Sequence, residues 1–322
     1  MKRKKNYIRL KDIGEIKLIE RISGKIKLDA SVIRGIGDDT AVIAWPHHSG
    51  AGSKRSSGKG KYLLYTCDML VEDVHFTLPG AKPFQIGWKA MARNLSDIAA
   101  MGGVGRYAVV SLGTDPGRKI SFVDGIYEGI RAACAKFKVN IVGGDMSMSK
   151  KTVISISLIG EVERRNLVTR SGASAGDLIF VTGSFGGSIK RKHLNFTPRI
   201  SEARLLVNNF KISSMIDVTD GLILDLSRIL NASRSGARIH QSLIPLSEEA
   251  VSFKEAITCG EDFELLFTMA PPEARRFLKT SLVRMKTPVT LIGEVTARKD
   301  GFTLITDDAE EIKIDPKGYL HF

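Results

Sequence analysis

The chain has 322 residues, of which 43% are hydrophobic and 26% charged, with a formal net charge of +13. That length can bury a large core and makes two domains the natural expectation, while no apolar run is long enough to span a membrane. Three scattered cysteines (Cys67, Cys134, Cys259) without a CxxC pair exclude a disulfide framework and a zinc site, and suit a reducing, cytoplasmic setting.

The basic start, Met1-Lys2-Arg3-Lys4-Lys5, is not followed by an apolar segment, so no signal peptide is expected. Together with Lys54-Arg55 and Lys190-Arg191-Lys192, it could contact nucleic-acid phosphates, lie as solvated surface, or attract polyphosphate substrates. No zinc finger or RNP aromatic motif accompanies these clusters. Charge alone supplies no means of reading a sequence, so a nucleic-acid partner is not expected.

In chain order, strands are expected at Thr40–Ala44 and Tyr62–Thr66, joined by a Gly-, Ser- and Lys-rich loop from Trp45 to Lys61. Phe84, Trp88, Met91, Leu95 and Ile98 then recur at spacings of three and four, which predicts an amphipathic helix over Pro83–Met101, closed by Gly102-Gly103. A second helix follows at about Ser121–Lys138, then strands at Val139–Val142 and Thr152–Ile159. The turn-rich stretch from Arg164 to Gly176 marks a domain boundary, dividing the chain into 1–165 and 166–322. The second half reads as a strand at Asp177–Thr182, a helix at Leu222–Ser233, a strand at Phe263–Met269, a helix at Glu273–Arg284, and strands near Val289–Ile292 and Phe302–Ile305. Both halves mix helices and strands, which is an α/β or α+β pattern.

The chemistry is carried by aspartates set in small-residue turns at the ends of apolar segments. They occur in GIGDD (35–39), TCD (66–68), NLSD (94–97), GGD (143–145), DVTDG (217–221) and GED (260–262). Singly, each could be a turn or cap residue; Asp220 could simply cap the helix that begins near Leu222. As a set, converging carboxylates would repel one another unless cations lay between them, and hard oxygen ligands suit magnesium bridging substrate phosphates. No GxxxxGK[ST] loop or GxSxG elbow is present. Gly103 to Ala108 formally fits GxGxxA but follows a helix, where the dinucleotide fingerprint must follow a strand.

These motifs, with VHF (74–76), TRSGA (169–173), GEDFEL (260–265) and the terminal KGYLHF (317–322), resemble the thiamine-monophosphate kinase family almost end to end. That family sits in the superfamily of aminoimidazole ribonucleotide synthetase. The resemblance implies a two-domain α/β fold whose N-terminal sheets pair across a homodimer. It also implies ATP- and Mg2+-dependent phosphorylation of thiamine monophosphate to thiamine diphosphate, with both ATP and thiamine monophosphate as partners.

Carried over by position, it implies magnesium ligation by Asp39, Thr66, Asp68, Asp97, Asp145, Asp217 and Asp220, with Asp97, Asp145 and Asp68 at the reaction centre. Cys67 stands where the family presents a hydroxyl. Gly144, Asp145, Arg170 and Thr219 would meet the nucleotide, and His75, Glu261 and Tyr319 the thiamine monophosphate. From the residues alone, His75 and Tyr319 could equally be packing residues and Arg170 a surface one. A planar donor fork does fit phosphate, and an aromatic face does suit a cationic ring.

The sequence departs from the pattern at Gly183–Arg199, where most of a helical excursion is missing. That loss could open the cleft, alter the dimer or change substrate preference. Two rival readings are another ATP-dependent synthetase of the superfamily and a basic, non-catalytic nucleic-acid-binding relative.

Overall fold

A computed structural model describes residues 9–45, 60–78, 80–190, 192–280 and 285–321. The basic start at Met1–Lys5, most of the Trp45–Lys61 loop and the end of the Glu273–Arg284 helix lie outside the described residues. Two short helices, α1 (Leu10–Ile13) and α2 (Glu15–Ser23), precede a six-stranded sheet. Its strands are β1 (Val32–Arg34), β2 (Ala41–Ala44), β3 (Lys61–Val71), β4 (Val104–Thr114), β5 (Asn140–Met148) and β6 (Val153–Glu163), in the order β1-β2-β3-β6-β4-β5. Among the described strands of this sheet only β4 and β5 pair in parallel, and α4 (Ile120–Phe137) makes the crossover between them.

One face of this sheet is covered by α3 (Pro83–Ala100) and α4. The alternating inward residues Leu64 and Leu70, Val110 and Leu112, and Ile154, Ile156 and Leu158 meet Met91, Leu95, Ile126 and Ile130 from the helices. The two helices touch backbone to backbone: a Cβ at Gly87 would stand 1.8 Å from the Ile126 carbonyl, and one at Gly129 would stand 1.9 Å from that of Phe84. Only glycine permits this approach.

The second sheet has seven strands: β7 (Leu178–Thr182), β8 (Ser214–Val218), β9 (Ser235–His240), β10 (Glu264–Met269), β11 (Val289–Ala297), β12 (Phe302–Ile305) and β13 (Glu311–Lys313). Their order is β13-β12-β9-β11-β7-β10-β8. Both faces are covered, as the unbroken apolar run in β7 requires: Ile179 and Val181 face α7 (Leu222–Ser233) and α8 (Phe253–Thr258), while Phe180 faces α6 (Ile200–Asn209) and α9 (Pro271–Thr280). The expected helix at Leu222–Ser233 forms over that span. The GxGxxA match does run out of a helix into β4, a strand that the periodicity did not reveal.

The shortened 183–199 segment folds as a 3-10 turn (Ser188–Lys190) and the short helix α5 (Lys192–Asn195), packed on α3. Trp88 Nε1 donates to the Phe196 carbonyl at 2.7 Å, and Phe196 stacks on Phe263 with ring centroids 3.8 Å apart. The end of α3 enters the core of the second half, where Ala99 and Ala100 lie with Leu206, Met215 and Phe267. α3 therefore joins the two sheets, and its last turns set the geometry of the cleft.

Candidate active site

Asp39 precedes β2, Asp68 lies on β3, Asp97 on the last turn of α3, and Asp217 on β8. The structure brings these four carboxylates into one electrostatic group. Burial pushes the Asp97 carboxyl well above its ordinary range, and the charges of Asp68, Asp217 and Asp39 push it further, against a 2.6 Å hydrogen bond donated by Thr66 Oγ1. Asp217, 2% exposed, is also pushed well up, by burial first and then by Asp39. Arg170 donates to Asp39 Oδ1 from Nε at 3.2 Å and from Nη2 at 2.6 Å, so the guanidinium is half-buried in the cleft and not a surface group. Its backbone N–H also reaches Asp38 Oδ1 at 3.1 Å. The Asp38 carboxyl is raised to about 6 by burial and by Asp39.

Asp145 and Gly144 lie elsewhere. Both are on the edge strand β5, with Asp145 in register with Ser111, Ser155 and Met69 across the open face of the first sheet. Asp145 is exposed, and the largest influences on Asp97 and Asp217 come from other groups. A Cβ at Gly144 would lie 2.0 Å from the Val110 carbonyl, so glycine is needed there for β5 to pack.

Asp220 does not cap α7; the N-cap is Gly221. The Asp220 carboxylate instead pairs with Arg228 Nη2 at 2.6 Å. The turn is held by Asp225, whose Oδ2 accepts the backbone N–H groups of Thr219 (2.9 Å) and Asp220 (3.0 Å). The Thr219 carbonyl accepts the Glu261 N–H at 2.7 Å, which ties this turn to the GEDFEL segment.

Beyond Asp68 the site changes character. Glu261, at φ 70°, pairs with Lys89, lies 3.4 Å from His193 Nδ1 and stands 3.8 Å from Arg93 Nη1. Burial alone would raise its pKa, but the His193 contact and the Lys89 and Arg93 charges hold it at about 2. Lys89 is fully buried and also donates to the His75 carbonyl and His193 Nδ1, each at 2.8 Å. Burial lowers its pKa to about 8 against the pull of Glu261. His75 accepts the Val71 N–H on Nδ1 at 3.1 Å and is lowered to about 4 by burial and by Arg93. Its ring lies 5.3 Å from that of His321, which lies 5.1 Å from Tyr319. Tyr319 is 47% exposed, so it is not a core residue. A cavity of about 240 Å3 opens between His75, Thr77 and Ala81 on one wall and Ile189, Lys190 and His193 on the other.

Lys89, Arg93, His193 and Asp225 were not singled out from sequence. Lys89 falls off the apolar stripe of α3, and nothing local signals that other segments close over it.

The donor chemistry fits magnesium. Asp39 Oδ2 and Asp217 Oδ2 are buried acceptors without a hydrogen-bond partner, and all the converging ligands are hard oxygens. Among the described residues no group of three or more His, Cys, Asp or Glu side chains is placed to hold a metal ion by itself. Magnesium commonly keeps waters and binds through one or two carboxylates plus substrate phosphates.

Family models of the AIR synthase related protein match at residues 37–162 (N-terminal domain) and 174–305 (C-terminal domain). The chain is 37% identical to thiamine-monophosphate kinase of Rhodopirellula baltica over 310 residues, covering 93% of this chain and 95% of that protein. It is 32% identical to the Bacillus subtilis enzyme over 338 residues, covering 96% and 100%. A solved structure of AaThiL complexed with AMPPCP and TMP superposes with a TM-score of 0.81 at 31% identity, over 98% of this chain and all of that one. Given near-full-length similarity in sequence and fold, the chain belongs to the thiamine-monophosphate kinase family.

Proposed function

We propose that this protein transfers the γ-phosphoryl group of ATP to thiamine monophosphate, yielding thiamine diphosphate and ADP. The observation that carries this reading is the juxtaposition of two unlike regions in one cleft. One is a group of repelling carboxylates suited to a cation and polyphosphate; the other is an imidazole- and tyrosine-lined end suited to a substrate with aromatic rings.

An oxygen of the acceptor phosphate forms a bond to the γ-phosphorus while the bond from that phosphorus to the β,γ-bridging oxygen breaks, and ADP departs with the electron pair. The attacking oxygen is already anionic, so no strong general base is required. Catalysis is then alignment and charge neutralisation. Asp39, Asp68, Asp97 and Asp217 would hold magnesium, which when bound neutralises phosphate charge in the transition state. Thr66 keeps Asp97 oriented, and Asp225 holds the Thr219–Asp220 turn beside the nucleotide. Arg170, with a cavity of about 380 Å3 beside Gly35, Gly37, Asp38 and Ser171, suits the nucleotide phosphates. The test is direct detection of thiamine diphosphate from ATP, Mg2+ and thiamine monophosphate, with free thiamine and aminoimidazole-pathway substrates as comparisons. ATP turnover without thiamine diphosphate would overturn the reading.

The same reading includes two domains, 1–165 and 166–322, and a homodimer. The dimer is supported by the open face of the first sheet, where Tyr65, Ile159 and Tyr107 lie in one cross-strand row and Met69 and Val109 nearby, all at least one-third exposed. Asp145 shares that face, so pairing of two sheets would place it at the interface. A reducing, cytoplasmic setting accords with three free cysteines. Among the described residues no helix is long and apolar enough to cross a membrane.

A further inference from the structure

The cations of the cleft differ in how their buried donors are met. Arg170 is anchored by Asp39 and Arg228 by Asp220 and Asp225, and Lys89 donates to the His75 carbonyl and His193 Nδ1 and pairs with the Glu261 carboxylate. Arg93 is different. Its Nε donates to Asp68 Oδ2 at 3.0 Å, but Nη1 is buried, makes no hydrogen bond, and stands 3.8 Å from Glu261 Oε1. A buried guanidinium donor without an acceptor calls for an explanation, and a ligand oxygen is one.

Its position says which ligand. Arg93 stands one helical turn before Asp97, between the carboxylates on one side and the run Glu261, His75, His321 and Tyr319 on the other. An acceptor whose rings occupy the imidazole and tyrosine end, and whose phosphate must reach the carboxylate end, carries that phosphate past the guanidinium. A planar fork with a free N–H is the donor best shaped for a phosphate oxygen.

We propose that Arg93 grips the acceptor's phosphate through Nη1, and thereby sets the preference for a phosphorylated over an unphosphorylated thiamine; this rests on the kinase reading above. While the acceptor is absent, Asp68 holds the guanidinium in place. Arg93 binds and orients; it exchanges no proton.

The test compares wild type with Arg93→Gln and Arg93→Lys. The readouts are KM and kcat for thiamine monophosphate, KM for ATP, the inhibition constant of free thiamine, and calorimetric Kd values for both thiamine species. Loss of one charge-assisted contact should weaken the monophosphate about ten- to a hundredfold in Arg93→Gln. Thiamine affinity and KM for ATP should stay within about twofold. Arg93→Lys, which keeps the charge beside Asp68, should lose less than Arg93→Gln but not recover wild-type affinity. Equal weakening of thiamine and its monophosphate, or no weakening of either, in whichever variant folds, overturns the assignment. If wild type makes no thiamine diphosphate at all, the kinase reading beneath it fails instead.

Discussion

Replacing Lys89 by methionine tests whether the buried Lys89–Glu261 pair is a balance of two large opposing effects. Lys89 falls from an ordinary 10.5 to about 8, which costs its charged form about 3 kcal/mol at neutral pH. Glu261 is held down at about 2 by His193, Lys89 and Arg93 against its own burial. Both shifts contain the same Lys89–Glu261 attraction, so they do not add; the pairing offsets the burial of each charge, and either member alone would be left uncompensated. Lys89→Met strands a buried carboxylate and leaves the His75 carbonyl and His193 Nδ1 without their donor, a loss of about 3–5 kcal/mol.

The double variant Lys89→Met/Glu261→Gln removes both charges and should recover most of that stability. Urea denaturation of the four proteins gives the coupling energy directly. A pH signature accompanies it. Because the folded state releases the Lys89 proton before the unfolded chain does, wild-type stability should rise between about pH 8 and 10.5 relative to Lys89→Met. A Lys89→Met protein within about 1 kcal/mol of wild type, or a double variant as unstable as the single, would refute the reasoning.

Asp97→Asn should lower turnover by about 10²–10³. Its melting temperature in chelator should not fall, because a charge repelling Asp68 and Asp217 is gone; calorimetry and product assays check both halves. Asp97 and Asp217 bind protons more tightly folded than unfolded, so metal-free stability should decline as pH rises from their ordinary 3.8 toward neutrality. Magnesium should oppose that decline, and melting curves at several pH values with and without chelator read it out; a metal-free protein that gains stability over this range contradicts the cluster. Tyr319→Ala should raise KM for thiamine monophosphate several-fold with unchanged melting temperature, since the side chain is half exposed; a large loss of stability would return it to a packing role. Val109→Asp on the open sheet face should shift a dimer to monomer in light scattering, and a wild-type mass would place the interface elsewhere.

Local pattern made much of this molecule legible. The stripe Phe84, Trp88, Met91, Leu95 and Ile98 is enough to specify α3, and the motif turns mark where carboxylates end apolar segments. β4 was not legible, because Val104–Thr114 interleaves glycine, arginine and serine with its inward residues and only alternation across neighbouring strands reveals it. Asp220, a magnesium ligand by resemblance and a cap as the alternative, is paired to Arg228 on the next turns of the helix, and short-range spacing cannot tell a capping carboxylate from a paired one. The short 183–199 segment was legible only as a departure from the family pattern; in three dimensions its helix α5 packs on α3 and brings His193 to Lys89 and Glu261.

What the sequence by itself determined was the position of the most strongly patterned elements, the catalytic vocabulary of carboxylates in turns, and the family, all of which depend on residues close together in the chain. Which carboxylates meet was decided by tertiary structure. α3 runs from the first sheet into the second, so Asp97 comes within the fields of Asp68 and Asp217, while Asp145 stays on an edge strand facing outward. The same packing closes three distant segments over Lys89 and leaves one buried donor of Arg93 unanswered. Burial and donor counting depend on neighbours far away in the chain, and no local pattern records them.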